Sequence, residues 1–142
     1  MLRVPMNGQY GISSRVFDWS AALLERAADN VALYKRIRHV IMGADVYHLT
    51  PEPNHEDPTG WSAIQYVSPD ASRSVIMAYR LGNSQEVRVF KLRGLDAARR
   101  YRVSIGGAAV GARSGQDLAR AGLRVELNEV WRAAVVEVSS AE

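Results

Sequence analysis

The residues best suited to chemistry in this chain are Glu52, His55, Glu56 and Asp57, packed into the segment from Thr50 to Gly60. Carboxylates with one imidazole can hold a divalent ion or move a proton. The alternate Asp/Asn spacing of a calcium loop is missing, however. Pro51, Pro53 and Pro58 keep the stretch out of helix and central strand, so the acids read as a solvated loop. His39 falls at the end of a helix and His48 in or beside a strand, neither with a Ser or Cys neighbour to relay a proton. The chain has no Gly-x-Gly-x-x-Gly, phosphate loop, His-Glu-x-x-His or Gly-x-Ser-x-Gly motif. Ser104-Ile105-Gly106-Gly107-Ala108 follows a strand but lacks Gly-Lys-Ser/Thr, and reads as a β-turn. Trp61, Tyr66, Tyr79 and Trp131 would offer stacking surface if exposed. In alternating strands such rings belong to the core, because each buries so much area. The residues alone therefore assign no catalytic, metal or cofactor site, and leave binding residues open.

The elements that must position these groups begin with a helix from Ser20 to about Ile41. Leu24, Ala27, Val31, Tyr34, Ile37 and Ile41 recur at three- and four-residue spacing and draw one apolar stripe. Ser20 and Asp18 are N-cap candidates, and Gly43 is placed for a left-handed C-cap. Lys35, Arg36, Arg38 and His39 meet the negative end of the helix dipole. The nineteen residues before the helix read as irregular, with Phe17 expected to staple onto its first turn. After Gly43 the period changes to two. Strands are expected at 45–49, 61–67, 74–80, 86–92, 101–105, 123–127 and 130–138, with a hairpin connection at 81–84 and a short helix from Ser114 to Arg120. Residues 106–111 read as small and flexible. The fold class is mainly β: an antiparallel β-sandwich of about seven or eight strands preceded by one long α-helix.

Composition bounds the function. The chain has 142 residues, is 47% hydrophobic and 23% charged, and carries a net charge of +3. The basic residues are scattered and almost all Arg, without the concentrated face and interleaved aromatics of a nucleic-acid binder. No apolar run approaches the roughly 18 residues of a membrane span. Cysteine is absent, which fits a reducing compartment, so the cytoplasm is the expected location. Neither nucleic acid nor membrane is expected as a partner.

Several stretches carry a resemblance. Val31-Ala-Leu-Tyr-Lys-Arg-Ile-Arg38, Gly43-Ala-Asp-Val-Tyr-His-Leu49 and Trp61-Ser-Ala-Ile-Gln-Tyr-Val-Ser-Pro-Asp70 resemble the C-terminal part of bacterial α-galactosidases of glycoside hydrolase family 36. Leu92-Arg-Gly-Leu95, Tyr101-Arg-Val103, Ser114-Gly-Gln-Asp-Leu118 and Gly122-Leu123 follow in the family's order, and Gly8-Gln-Tyr-Gly-Ile-Ser13 resembles the segment before its last barrel helix. The resemblance implies that residues 1–43 are the remnant of the barrel's last segment and helix, and 44–142 the terminal antiparallel sandwich. The family's retaining mechanism needs two carboxyl groups about 5–5.5 Å apart. The aspartates that supply them lie in barrel motifs preceding everything present here, so no catalytic residue carries over. The implied role is a non-catalytic domain of an enzyme that cleaves terminal α-galactosides when complete. In the family the helix stripe packs on the barrel, so Phe17, Trp19, Leu24 and Val31 are expected to be exposed here. The chain then reads as a truncated gene product, or a reading frame beginning at an internal Met. The expected partners are the missing barrel, or a second copy through the exposed helix face, with galactosides met only through the parent enzyme. The alternative is a stand-alone carbohydrate-binding module using Trp61 or Trp131.

Overall fold

Two strands with no polar face dictate the architecture. In the computed structural model, which describes residues 3–52, 60–82 and 84–141, Val75, Ile76, Met77 and Ala78 are consecutive and each at most 2% exposed. They belong to β3 (Arg73–Leu81), which pairs antiparallel with β8 (Ala133–Ser140), where Ala134, Val135, Val136 and Val138 are buried. A strand apolar on both faces needs cover on both. The flanking strands are β1 (Asp45–His48), β2 (Gly60–Val67), β5 (Arg100–Ile105) and β6 (Ala108–Ser114). Together they form an antiparallel six-stranded sheet in the order β1-β2-β3-β8-β5-β6.

One face is covered by a two-stranded sheet of β4 (Val87–Phe90) and β7 (Leu123–Glu126), with the short helix α2 (Gly115–Arg120) beside it. Trp61, Ile76, Tyr101, Val136 and Val138 of the large sheet meet Phe90, Leu118, Leu123 and Val125 in this core. Trp61 and Phe90 pack edge to face, ring centroids 5.7 Å apart. The amide of Gln65, fully buried, stitches the two layers. Its Nε2 donates to the Arg93 carbonyl at 2.9 Å, and its Oε1 accepts from the Arg93 N–H at 2.9 Å. Gly115 is obligatory because its backbone lies against Asp96; a Cβ there would stand 2.0 Å from the Asp96 carbonyl oxygen. As the sequence predicts, Ser114 caps α2 by accepting from the Asp117 N–H.

The other face is covered by α1 (Ala21–Ile41). Leu33, Ile37 and Val40 pack with Met6 on Tyr66, Val75, Met77 and Val135, each such side chain contributing roughly 1.5–3 kcal/mol by leaving water. Arg36 adds a two-pronged ion pair to Glu137 of β8, both bonds 2.8 Å. This corrects the expected stripe. The buried line runs through Ala27, Leu33, Ile37 and Val40, while Leu24 is exposed and Val31 only half-buried. The helix therefore packs on its own sheet. Three phenols hold the preceding segment: Tyr34 donates to the Gly8 carbonyl at 2.7 Å, Tyr66 to Asn7 Oδ1 at 3.1 Å, and Tyr79 accepts from Asn7 Nδ2 at 2.8 Å. Burial raises the pKa of Tyr66 and Tyr79 above the ordinary phenol value.

Other local expectations change too. Ser20 is the N-cap, accepting from the Leu23 N–H at 3.3 Å, but Gly43 is not left-handed and the chain leaves α1 through Met42. Phe17 is 76% exposed and does not staple the helix; the Arg15 guanidinium lies over its ring at 5.0 Å. β3 and β4 do not form the expected hairpin, because β3 is already paired on both sides and β4 belongs to the smaller sheet. Residues 108–111, expected to be flexible, begin strand β6, turned from β5 by Gly106 and Gly107 at positive φ. Such a two-residue turn matches the twist of the strands it joins. Replacing Gln65 with Met leaves the Arg93 N–H and carbonyl unpaired at a buried seam, and is expected to cost about 1–3 kcal/mol in a urea titration of the intact chain.

Candidate functional site

The sequence-level candidates scatter. Glu52 and His48 are exposed, and His55, Glu56 and Asp57 lie outside the described residues. His39 is exposed at the end of α1, its Nε2 2.7 Å from Arg73 Nη1. Among the described residues no three His, Cys, Asp or Glu side chains gather as a metal site. Asp70 is the described carboxylate most perturbed by its surroundings. Ser68 Oγ, the Ser72 N–H and Ser72 Oγ all donate to it and hold its pKa well below the usual range. That is the direction opposite to what a general acid needs. Its role is to close the turn between β2 and β3.

The aromatics separate more cleanly. Trp61 is 5% exposed, its indole N–H donating to the Gln85 carbonyl at 2.9 Å. Tyr66 is buried, and Tyr79 is bonded to Asn7 as described. Trp131 is different: it stands 58% exposed in the β7–β8 connection, not in a strand. Its φ is 60°, a left-handed value that costs a non-glycine residue roughly 1–2 kcal/mol. Two backbone bonds enforce it, Trp131 N–H to the Arg80 carbonyl at 2.8 Å and Arg80 N–H to the Arg132 carbonyl at 3.0 Å.

Arg80 supports this corner from below. Its side chain is buried, with Nε and Nη2 donating to the Ser84 carbonyl and Nη1 to the Leu127 carbonyl at 2.7 Å. It thereby ties the β3–β4 connection to the β7–β8 connection. Between this corner, the N-terminal turn at Val4–Asn7 and the first turns of α1 lies a groove of about 680 Å³. Val4, Leu23 and Leu127 give it apolar walls; Arg3, Arg26, Asn30 and Arg132 give it hydrogen-bond donors. This size falls within the roughly 300–1,000 Å³ of small-molecule sites. Sequence reasoning named Trp131 but not the groove, because its walls come from residues more than a hundred positions apart. An arrangement of one exposed indole and several donors can bind a ring. Among the described residues its lining includes no pair of carboxylates with which to hydrolyse one.

Comparison with known proteins bears on the whole chain. A family profile described as the glycosyl hydrolase family 36 C-terminal domain matches residues 61–138, just over half of the chain. A probable α-galactosidase G of Aspergillus terreus is 29% identical over 111 residues, covering 75% of this chain and 14% of that protein. Among solved structures, the GH36 α-galactosidase AgaB of Geobacillus stearothermophilus superposes with a TM-score of 0.79 at 20% identity. It covers 96% of this chain and 18% of its own. An α-galactosidase of Lactobacillus brevis does so with a TM-score of 0.80 at 21% identity, over 96% of this chain and 19% of its own. The chain thus spans less than one-fifth of the length of these relatives, and α1 with the N-terminal segment is part of the shared fold. For the groove, Trp131→Gly is expected to stabilise the chain by about 1 kcal/mol through relief of the left-handed strain. A urea titration reads this directly; a loss of stability would mean that the indole packs as core.

Proposed function

Because this chain belongs to the glycosyl hydrolase family 36 C-terminal domain family, we propose that it serves as the non-catalytic terminal sandwich of an α-galactosidase-like hydrolase. The observation that carries this reading is the profile match, which runs from β2 into β8 and so spans both layers of the sandwich. The complete enzyme would release terminal α-linked galactose from oligosaccharides such as raffinose or melibiose, a role in carbohydrate metabolism. The domain's own part is structural: it covers one side of the catalytic portion. Val16, Phe17 and Leu24, each more than 40% exposed, offer apolar surface for that contact or for self-association. A location in the cytoplasm belongs to this reading and is supported by a chain without cysteine. No described helix is long and apolar enough to cross a membrane.

A second reading, a carbohydrate-binding module in its own right, is favoured by one observation, the exposed ring of Trp131 over the groove. The first reading is tested with the purified chain and p-nitrophenyl α-galactoside. The chain alone is expected to release no nitrophenol above the buffer rate, because the described residues of its groove include no carboxylate pair such as the retaining reaction uses. Turnover that survives repurification and disappears on substitution of a residue of this chain would contradict it.

A further inference from the structure

We infer that the groove beneath Trp131 binds an anionic monosaccharide, a sugar ring carrying a carboxylate or phosphate. Charge comes first. Four arginines line the groove, Arg3, Arg26, Arg80 and Arg132, and among the described residues no Asp or Glu does. Their charges are unevenly compensated. Arg132 is paired with Glu129, Nη2 to Oε2 at 2.6 Å. Arg80 is buried on carbonyl oxygens, with Glu86 no nearer than 4.0 Å. Among the described residues the Arg3 side chain bonds the Ala133 carbonyl alone, and the Arg26 side chain makes no hydrogen bond or ion pair. A concave surface with this balance attracts an anion, and a guanidinium offers two parallel N–H groups to a carboxylate or phosphate.

The rest of the lining selects a sugar. The Trp131 indole is exposed at the rim in a backbone conformation that works against stability, and such strain gathers at ligand contacts. Its face suits the C–H side of a pyranose. Asn30 gives one Nδ2 N–H to the Arg26 carbonyl at 2.6 Å and keeps a second N–H to donate and Oδ1 to accept from a hydroxyl. Leu23, Arg26 and Asn30 share the sheet-facing side of α1 by their three- and four-residue spacing. Leu24, among the apolar residues assigned to domain contact, lies off that side. The inference therefore stands apart from the proposed structural role, and either can fail without the other.

Calorimetric titration of the full chain with galacturonate, galactose 6-phosphate and neutral galactose tests it. Saturable binding of at least one anionic sugar is expected, at least tenfold tighter than galactose and weakened by 0.5 M salt on the order expected for partly exposed charges. Whichever anion binds identifies the group recognised. Affinity should fall at least tenfold in Trp131→Gly and in Arg26→Gln, the latter an exposed helix position whose change leaves the fold intact by circular dichroism. No saturable heat with either anion, equal binding of galactose, or unchanged affinity in both variants would overturn it.

Discussion

The structure depends on one constraint: β3 and β8 are apolar on both faces, so the sheet they centre cannot leave either face in water. The consecutive buried run Val75 to Ala78 and its partners Ala134 to Val136 make a two-layer sandwich insufficient. The small sheet of β4 and β7 satisfies one face and α1 the other. Three layers result, and the helix is part of the core rather than a leader to it. The N-terminal segment follows from the same constraint. Met6, fully buried, fills the gap beside Ile37, and the tyrosines projecting from the sheet and the helix then find hydrogen-bond partners along residues 7–8.

How much of this the sequence revealed depended on whether local pattern or tertiary choice decided each element. The caps at Ser20 and Ser114 were legible because a short side-chain oxygen satisfies amides within its own turn. Strands rich in Val and Ile were legible for the same kind of local reason. β6 was not: Ala108, Ala109, Val110, Gly111 and Ala112 are exposed at the sheet edge, with little β propensity or alternation to declare them. Sequence adjacency suggests that β3 pairs with β4, whereas the sheet supplies β3 with two other partners. The helix stripe was rotated because α1 carries apolar residues on more than one side. Only the sheet decides that Leu33 and Val40 go inward and Leu24 outward. Trp131 shows the same limit for the site. Its type was visible, but not its place outside a strand or the arginines assembled around it.

Seen together, the layers separate two kinds of surface. The sheet-facing side of α1 is used in burial and, at its first turns, in the walls of the groove. Val16, Phe17 and Leu24 remain outside, exposed to solvent. This division accounts for a domain that shares its fold with α-galactosidases and shows no paired carboxylates among the described residues of its groove, yet retains an exposed tryptophan in a strained conformation.

The most direct test of the account is the equilibrium unfolding of residues 44–142 made without the helix, compared with the full chain. If α1 is the second cover of the sheet, the shortened chain should lose its cooperative transition and bind a hydrophobic dye through the uncovered face of β3 and β8. A monomeric fragment that unfolds cooperatively, with undiminished stability and no dye binding, would contradict the claim that the sheet requires the helix.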